Sequence, residues 1–392
     1  MIDLKKTDLF IIYSFAFFNT ALCALFGLGL PISPLVLKLT QVALTLYVVV
    51  RVLYSGKVES FDISLVILIF IFLLLTFSYK NNSNIKMVFD ALVIPLFILF
   101  GRSSKVNFVN VVFNTLKIVL VFSSLEIFFP DLYLQILPIG EYYNATRAWV
   151  SSQDLDVDSL SYYIGAVRPK ESYFTLIDHR LGASFLESLT LGYFLCLALI
   201  VSLIKYANNT LSRIQIVITM FSIFLLLLMS DTRTCLFMAS VITLIYYFRE
   251  KFLLISPVYY GVGLFIACWI IYWVLPDSAG DIVYRLSLTF VPLQEQSLLS
   301  ILGLDTLKGN HNDSGFLYLV SIYGIIPLIL TFMLFWKMGA TCKAQVFRFY
   351  LIVTIITFTF VLFFGAAFLS VKIAALWFAT LGSLYEQYRY AK

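Results

Sequence analysis

The sequence predicts an all-α polytopic membrane protein, and three observations carry that prediction. Of 392 residues, 61% are hydrophobic and only 12% are charged, and the mean hydropathy is +0.95. A soluble domain carries about 25% charged residues, and a chain this long needs them to cover its surface. The apolar residues also come in long runs such as Ile63–Phe77 and Ile214–Met229, whereas a transmembrane barrel alternates over segments of about ten residues. Together these exclude a soluble enzyme, a disordered chain and a nucleic-acid binder.

About twelve spans follow in order, judged against the roughly 20 residues a helix needs to cross the hydrocarbon. They lie at 9–29, 32–53, 62–78, 87–100, 106–129, 182–204, 214–229, 234–248, 251–275, 314–336, 346–369 and 371–386, and the fourth, eighth and twelfth are short. The first run is too long for a signal-peptide core and lacks a small-x-small cleavage site, so it is read as a span that stays. Gly27, Gly29, Pro31 and Pro34 break the first hairpin, and most later breaks carry charge. Lys5, Lys6, Arg51, Lys57, Arg102, Lys105, Lys205, Arg213, Arg249, Lys251, Lys337, Lys343, Arg348, Arg389 and Lys392 fall on one side. The other short segments hold only Lys80, Lys86, Arg233 and Lys372. Basic residues mark the cytoplasmic side, which puts both termini inside.

The whole chain, 1–392, is then one integral membrane domain with two large external loops, about 130–181 and 276–313. Structureless connections above about 15 residues are uncommon and usually functional. Short interfacial helices are expected at Ser159–Ile164, Tyr173–Ile177 and Glu295–Leu302. Both histidines, His179 and His311, lie in these loops, as do Arg147, Arg168, Lys170, Arg180, Arg285 and Lys308. The five cysteines lie mostly in or beside apolar runs, a pattern of neither a disulfide framework nor a metal cluster. No ATP-binding fingerprint occurs. Mid-span charges are few (Lys38, Asp90, Lys117, Glu126 and Glu187), whereas a transporter lines its cavity with them.

Three motifs stand at the ends of spans. In Arg180-Leu-Gly182-Ala-Ser184-Phe185-Leu-Glu187, the long loop re-enters the membrane. A guanidinium there can fork onto phosphate oxygens, or simply snorkel to lipid headgroups. Met229-Ser230-Asp231-Thr232-Arg233 is a tight polar turn in which Arg233 either faces a ligand or pairs with Asp231. Gly303-Leu-Asp305 and Gly309-Asn310-His311-Asn312-Asp313-Ser314-Gly315 precede a span beginning Phe316-Leu317-Tyr318. A histidine so placed can exchange a proton near neutral pH, or be an incidental loop residue.

In that order the motifs resemble those of the bacterial O-antigen polymerase and ligase superfamily (Wzy and WaaL types), over roughly 180–330. The likeness rests on the Arg-x-Gly-x-x-Phe entrance at Arg180, Gly182 and Phe185, the Ser-Arg-like turn Ser230-Asp-Thr-Arg233, and the His-Asn element before a span ending in Tyr323-Gly324-Ile325-Ile326. The chain departs from the family where Ser188-Leu189 stands near its usual Pro-Asn, and where Asp231 and Thr232 separate Ser230 from Arg233. The resemblance implies a core like that of the lipid-dependent GT-C glycosyltransferases in the bacterial inner membrane. It also implies a polymerase that joins oligosaccharide repeat units carried on undecaprenyl pyrophosphate at the outer face, for O-antigen or another surface polysaccharide.

On that basis His311 is the candidate base, and Arg180, Arg233 and Arg285 form the pyrophosphate clamp. Arg168, Arg147, Lys170, His179, Asn312 and Tyr318 are candidate substrate contacts. No cofactor or metal is expected. The partners would be lipid-linked donor and acceptor, with a chain-length regulator and a flippase in the same membrane, and no nucleic acid. The alternatives are an O-antigen ligase that transfers polymer to lipid A core, and a lipid-linked glycan flippase or transporter.

The topology has a direct test. In a cysteine-free background, cysteines at Ser152 and Ser297 are expected to react with a membrane-impermeant maleimide in cells with an opened outer barrier. One at Ser212 is expected to stay unlabelled.

Overall fold

The computed structural model describes residues 4–55, 59–79, 85–147, 177–275, 281–304, 314–364 and 370–390, without the side chains of 61, 72, 75–79, 85–91, 281–282, 321–322 and 364. The described residues are overwhelmingly helical, and no strand occurs among them. In chain order the helices are α1 (Leu4–Gly27), α2 (Pro34–Leu53), α3 (Ser60–Tyr79), α4 (Ile85–Ser103), α5 (Phe108–Phe128), α6 (Pro130–Ile136) and α7 (Ile139–Thr146). After a 3₁₀ turn at Ala183–Phe185 come α8 (Ser188–Ala207), α9 (Arg213–Met229), α10 (Arg233–Tyr247), α11 (Arg249–Phe252) and α12 (Pro257–Val274). The last are α13 (Asp281–Gln294), α14 (Leu298–Leu302), α15 (Gly315–Tyr323), α16 (Ile325–Thr341), α17 (Gln345–Phe364) and α18 (Val371–Tyr388).

Each apolar segment read from the sequence contains a helix among its described residues. Among the described residues, six helices, α1, α2, α5, α8, α12 and α17, are long and apolar enough to cross a membrane, against the twelve spans expected. Three of the boundaries that differ from the sequence reading have a local cause. The tenth segment is two helices, because Gly324 adopts φ +72°, which only glycine takes without strain, and a Cβ there would strike the Leu302 carbonyl. The ninth begins at Pro257, which stands in the first turn where a missing N–H costs nothing. The sixth begins at Ser188, after the 3₁₀ turn.

The stretches read as external loops also hold helices. Residues 130–146 form α6 and α7, and α13 occupies 281–294. Along α13, Val283, Leu286 and Phe290 are buried at i, i+3, i+7 spacing, and Leu286 and Phe290 pack with Cys268 of α12 and Phe363 of α17. The expected helix at 295–302 is α14, capped by Ser297, whose Oγ accepts the Ser300 N–H at 3.1 Å. The expected helix at 159–164 lies outside the described residues, as does nearly all of that at 173–177.

The chain forms two compact units: unit 1 is Met1–Tyr47 with Lys105–Thr243, and unit 2 is Val48–Ser104 with Leu244–Lys392. In unit 1, α8 is buried along almost its whole length. It runs opposite to α5: Lys205 near the end of α8 donates to Asn110 Oδ1 at the start of α5, at 2.8 Å. The residues before α8 meet the other end of α5.

In unit 2, α4 and α18 pack backbone to backbone. A Cβ on Gly101 would run into the Ala379 carbonyl, and one on Gly382 into that of Ile98. Where α3 begins and α4, α16 and α18 end, six charges gather. Arg102, 1% exposed, pairs with the equally buried Asp62. Its guanidinium also lies 3.6 Å from Glu59 and 3.7 Å from Glu386, and over the Tyr385 ring at 4.9 Å. Lys337 Nζ donates to Glu59 at 2.7 Å and Asp62 at 2.9 Å. Arg389 donates to Glu59 at 2.9 Å and lies 3.2 Å from Glu386. Three cations face three carboxylates, as buried charge requires.

The hydrogen bond from Lys337, aided by the charges of Lys337, Arg102 and Arg389, holds Glu59 below its ordinary value of 4.5 against the opposing effect of burial. A carboxylate depressed on folding stabilises the fold above its unfolded pKa and loses that contribution as pH falls through the lower folded value. Purified protein should therefore melt at progressively lower temperature as pH drops below about 4.5, and Glu59→Gln should flatten that dependence.

Candidate functional site

At one end of unit 1, α5 and α9 finish and α8 and α10 begin, and the centre of this end is a buried carboxylate. Glu126, in the last turn of α5 and 1% exposed, accepts the backbone N–H of Gly182 at 3.2 Å and of Ala183 at 2.6 Å. His179 Nε2 lies 3.0 Å from Glu126 Oε1. A carboxylate can leave water here because its lone pairs are met by oriented donors. Two further contacts hold the same turn: Tyr133 on α6 donates to the Ala183 carbonyl at 2.7 Å, and Thr20 on α1 donates to the Ser184 carbonyl.

These contacts hold a strained backbone. Ala183 has φ +46° and Leu186 +63°, and each left-handed non-glycine residue costs about 1–2 kcal/mol. Such strain persists only where its surroundings over-determine it, and it concentrates at functional sites. Phe185 seals the turn between Phe17 and Phe194, with ring centroids 6.1 and 5.0 Å away.

Beside the turn, Glu187 precedes the first residue of α8. It pairs with Arg147, accepts from Tyr143 at 3.2 Å, and accepts from Thr190 at 2.6 Å. The Arg147 guanidinium lies 4.0 Å over the Tyr143 ring. Asn19 of α1 ties the tyrosine pair together, donating to Tyr143 Oη at 3.2 Å and accepting from Tyr142 at 2.6 Å. Burial holds the Tyr142 phenol above its ordinary range, so it remains a donor.

Arg180 joins this turn to the one between α9 and α10. Its Nε donates to the Ser230 carbonyl at 3.3 Å and its Nη2 to that of Asp231 at 3.0 Å, while the Leu181 N–H reaches the Met229 carbonyl at 3.2 Å. Asp231 has φ +49°, and Ser230 and Thr232 bond through their hydroxyls at 2.8 Å. The two arginine motifs, fifty residues apart in sequence, thus adjoin. Arg180 is half-buried, and Arg233 is exposed where α10 starts.

Of the residues expected at a site, Arg147, His179, Arg180 and Arg233 belong to unit 1, the first three tied into one end of it by the contacts above. Arg285 on α13 and Tyr318 on α15 are half-buried parts of unit 2. His311, Asn312, Arg168 and Lys170 lie outside the described residues. The organising role of Glu126 and Glu187 was missed, although both are acidic residues at the ends of apolar runs, where a carboxylate needs a reason to be. Among the described residues, no three His, Cys, Asp or Glu side chains gather as metal ligands.

Removing the carboxylate should release the turn. Glu126→Ala leaves two buried N–H groups without an acceptor, at about 1–3 kcal/mol each. The expected result is a lower melting temperature, with faster hydrogen exchange at Gly182 and Ala183 than at α9 amides.

Comparison with family models, curated proteins and solved structures returned no match.

Proposed function

We propose that the chain is a polysaccharide polymerase of the Wzy type. It would join undecaprenyl-pyrophosphate-linked repeat units at the outer face of the bacterial cytoplasmic membrane. The observation that carries this reading is the junction of the two arginine motifs, with Arg180 donating to the carbonyls of Ser230 and Asp231. Motifs that serve one ligand have to meet in space, and these do. Two carbonyls fix the Arg180 guanidinium, and no hydrogen bond from its Nη1 is found among the described residues. A guanidinium held this way keeps donors in a set orientation for an anion.

The chemistry asks for such an anion site. The acceptor hydroxyl oxygen attacks the anomeric carbon at the reducing end of the growing glycan. The bond from that carbon to the diphosphate oxygen breaks, its electron pair leaves with undecaprenyl pyrophosphate, and the hydroxyl proton passes to a base. Charge develops on the diphosphate, where pre-oriented cations stabilise it best. Arg180 and Arg233 take that role in this proposal, and Glu126 sets the turn that aims Arg180. The sequence offers His311 for the proton. Tyr142 and Tyr143 are buried and brace Glu187 and Asn19 behind the turn.

The test is the mass profile of lipid-linked oligosaccharides in cells with and without the gene. Deletion is expected to leave single repeat units on undecaprenyl pyrophosphate, and Arg180→Ala at normal abundance to do the same. Free lipid-linked polymer would instead assign ligase activity, and an unchanged profile would remove the proposal.

A further inference from the structure

At the opposite end of unit 1 from the strained turn, two lysines converge on one phenylalanine. Lys117 Nζ lies 5.5 Å from the Phe113 ring centroid, and Lys205 Nζ lies 5.1 Å from the same centroid. Lys205 also donates to Asn110 Oδ1 at 2.8 Å. Asn110, Phe113 and Lys117 fall on one face of α5 at i, i+3, i+7 spacing, and Lys205 reaches them from the last turn of α8. Neither lysine is paired with a carboxylate among the described residues. One neutral amide oxygen and the π face of one ring serve two positive charges.

The depth of Lys117 makes this informative. It lies about 14 Å along α5 from the helix start at 1.5 Å per residue, on a helix long and apolar enough to span the membrane. An ionised group at such depth is expensive unless an anion or water meets it. Helical side chains lean toward the N-terminus, so Lys117 reaches back a turn to Phe113, toward the end of α5 where Lys205 waits. The exposed face of α5 then changes character along its length. It shows Asn110, Asn114 and Lys117 at first, and then Val121 at 68% and Phe128 at 71% exposure.

We propose that Lys117, Lys205 and Asn110 form a binding site for the phosphate of an anionic phospholipid, with its acyl chain lying along Val121 toward Phe128. The phosphodiester supplies the negative charge that the lysine pair lacks, and Asn110 orients Lys205 toward it. The polar-to-apolar order of the α5 face matches a lipid oriented head-first at the start of the helix. A free phosphate ion shares the headgroup chemistry but has no use for the apolar half. The site is independent of any glycan chemistry at the other end of the unit.

The experiment uses the purified full chain in phosphatidylcholine nanodiscs, with retained lipid counted by native mass spectrometry. Added phosphatidylglycerol is expected to be retained over phosphatidylcholine. In Lys117→Gln/Lys205→Gln its apparent affinity should fall about 30-fold, or about fivefold per ammonium group. Lys105→Gln, an exposed lysine before α5, should leave retention unchanged, and Lys117→Arg/Lys205→Arg should preserve it, which separates charge loss from misfolding. Equal retention of phosphatidylglycerol by wild type and the double Gln variant would overturn the site. So would equal retention of the two lipids by wild type. If inorganic phosphate competes the lipid away at millimolar concentration, the acyl half contributes nothing and the lipid assignment fails.

Discussion

A charge carried into apolar surroundings has to be answered where it stands, and that constraint organises both units. In unit 1, Glu126 is answered by two backbone amides and a histidine. In unit 2, Arg102 is answered by Asp62, within a larger group of alternating charges. Neither solution is a local pair on one helix. Each draws its counter-groups from elements far away in sequence, so each works as a closure condition on the fold. The helices themselves need little instruction beyond apolarity; where their ends meet is decided by these few polar contacts.

That division explains what could be read in advance. Helices were legible because a run such as Ile214–Met229 leaves the backbone no other way to satisfy its hydrogen bonds in hydrocarbon. The grouping of Arg102, Lys337 and Arg389 on one side was legible from loop charge, but their shared carboxylates were not, since Glu59 and Arg389 are 330 residues apart. The helix α13 was hidden by Arg285 and Pro292, which made the segment look like loop, although Val283, Leu286 and Phe290 already had helical spacing. Of the candidate site, the arginine motifs were visible. The carboxylates were not, because nothing in a single sequence tells a buried acceptor from an acid at a helix end.

The strained turn and the lysine pair stand at opposite ends of unit 1 and hold their cations in different ways. At one, conformational strain is held by contacts from α1, α5 and α6, which leaves the Arg180 guanidinium oriented by backbone rather than by mobile side chains. At the other, two long lysine side chains converge on a ring without a carboxylate partner among the described residues. A rigid cation suits the recognition of a developing charge, where reorganisation costs rate. A pliable pair suits a ligand that is always present and need only be kept.

The backbone contact between α4 and α18 also sets an order of events during synthesis. Ribosomes deliver the N-terminal part first, so Gly101 and Arg102 enter the membrane long before Gly382, Tyr385 and Glu386 exist. Until then, the face of α4 that will carry no side chain between itself and Ala379 lies open, and Arg102 has only Glu59 and Asp62 beside it. The insertion machinery, or neighbouring lipid, has to shelter that surface for most of translation. The closure of α4 against α18 therefore comes long after α4 is made, and a chain cut short before Val371 would leave the Gly101 face of α4 uncovered.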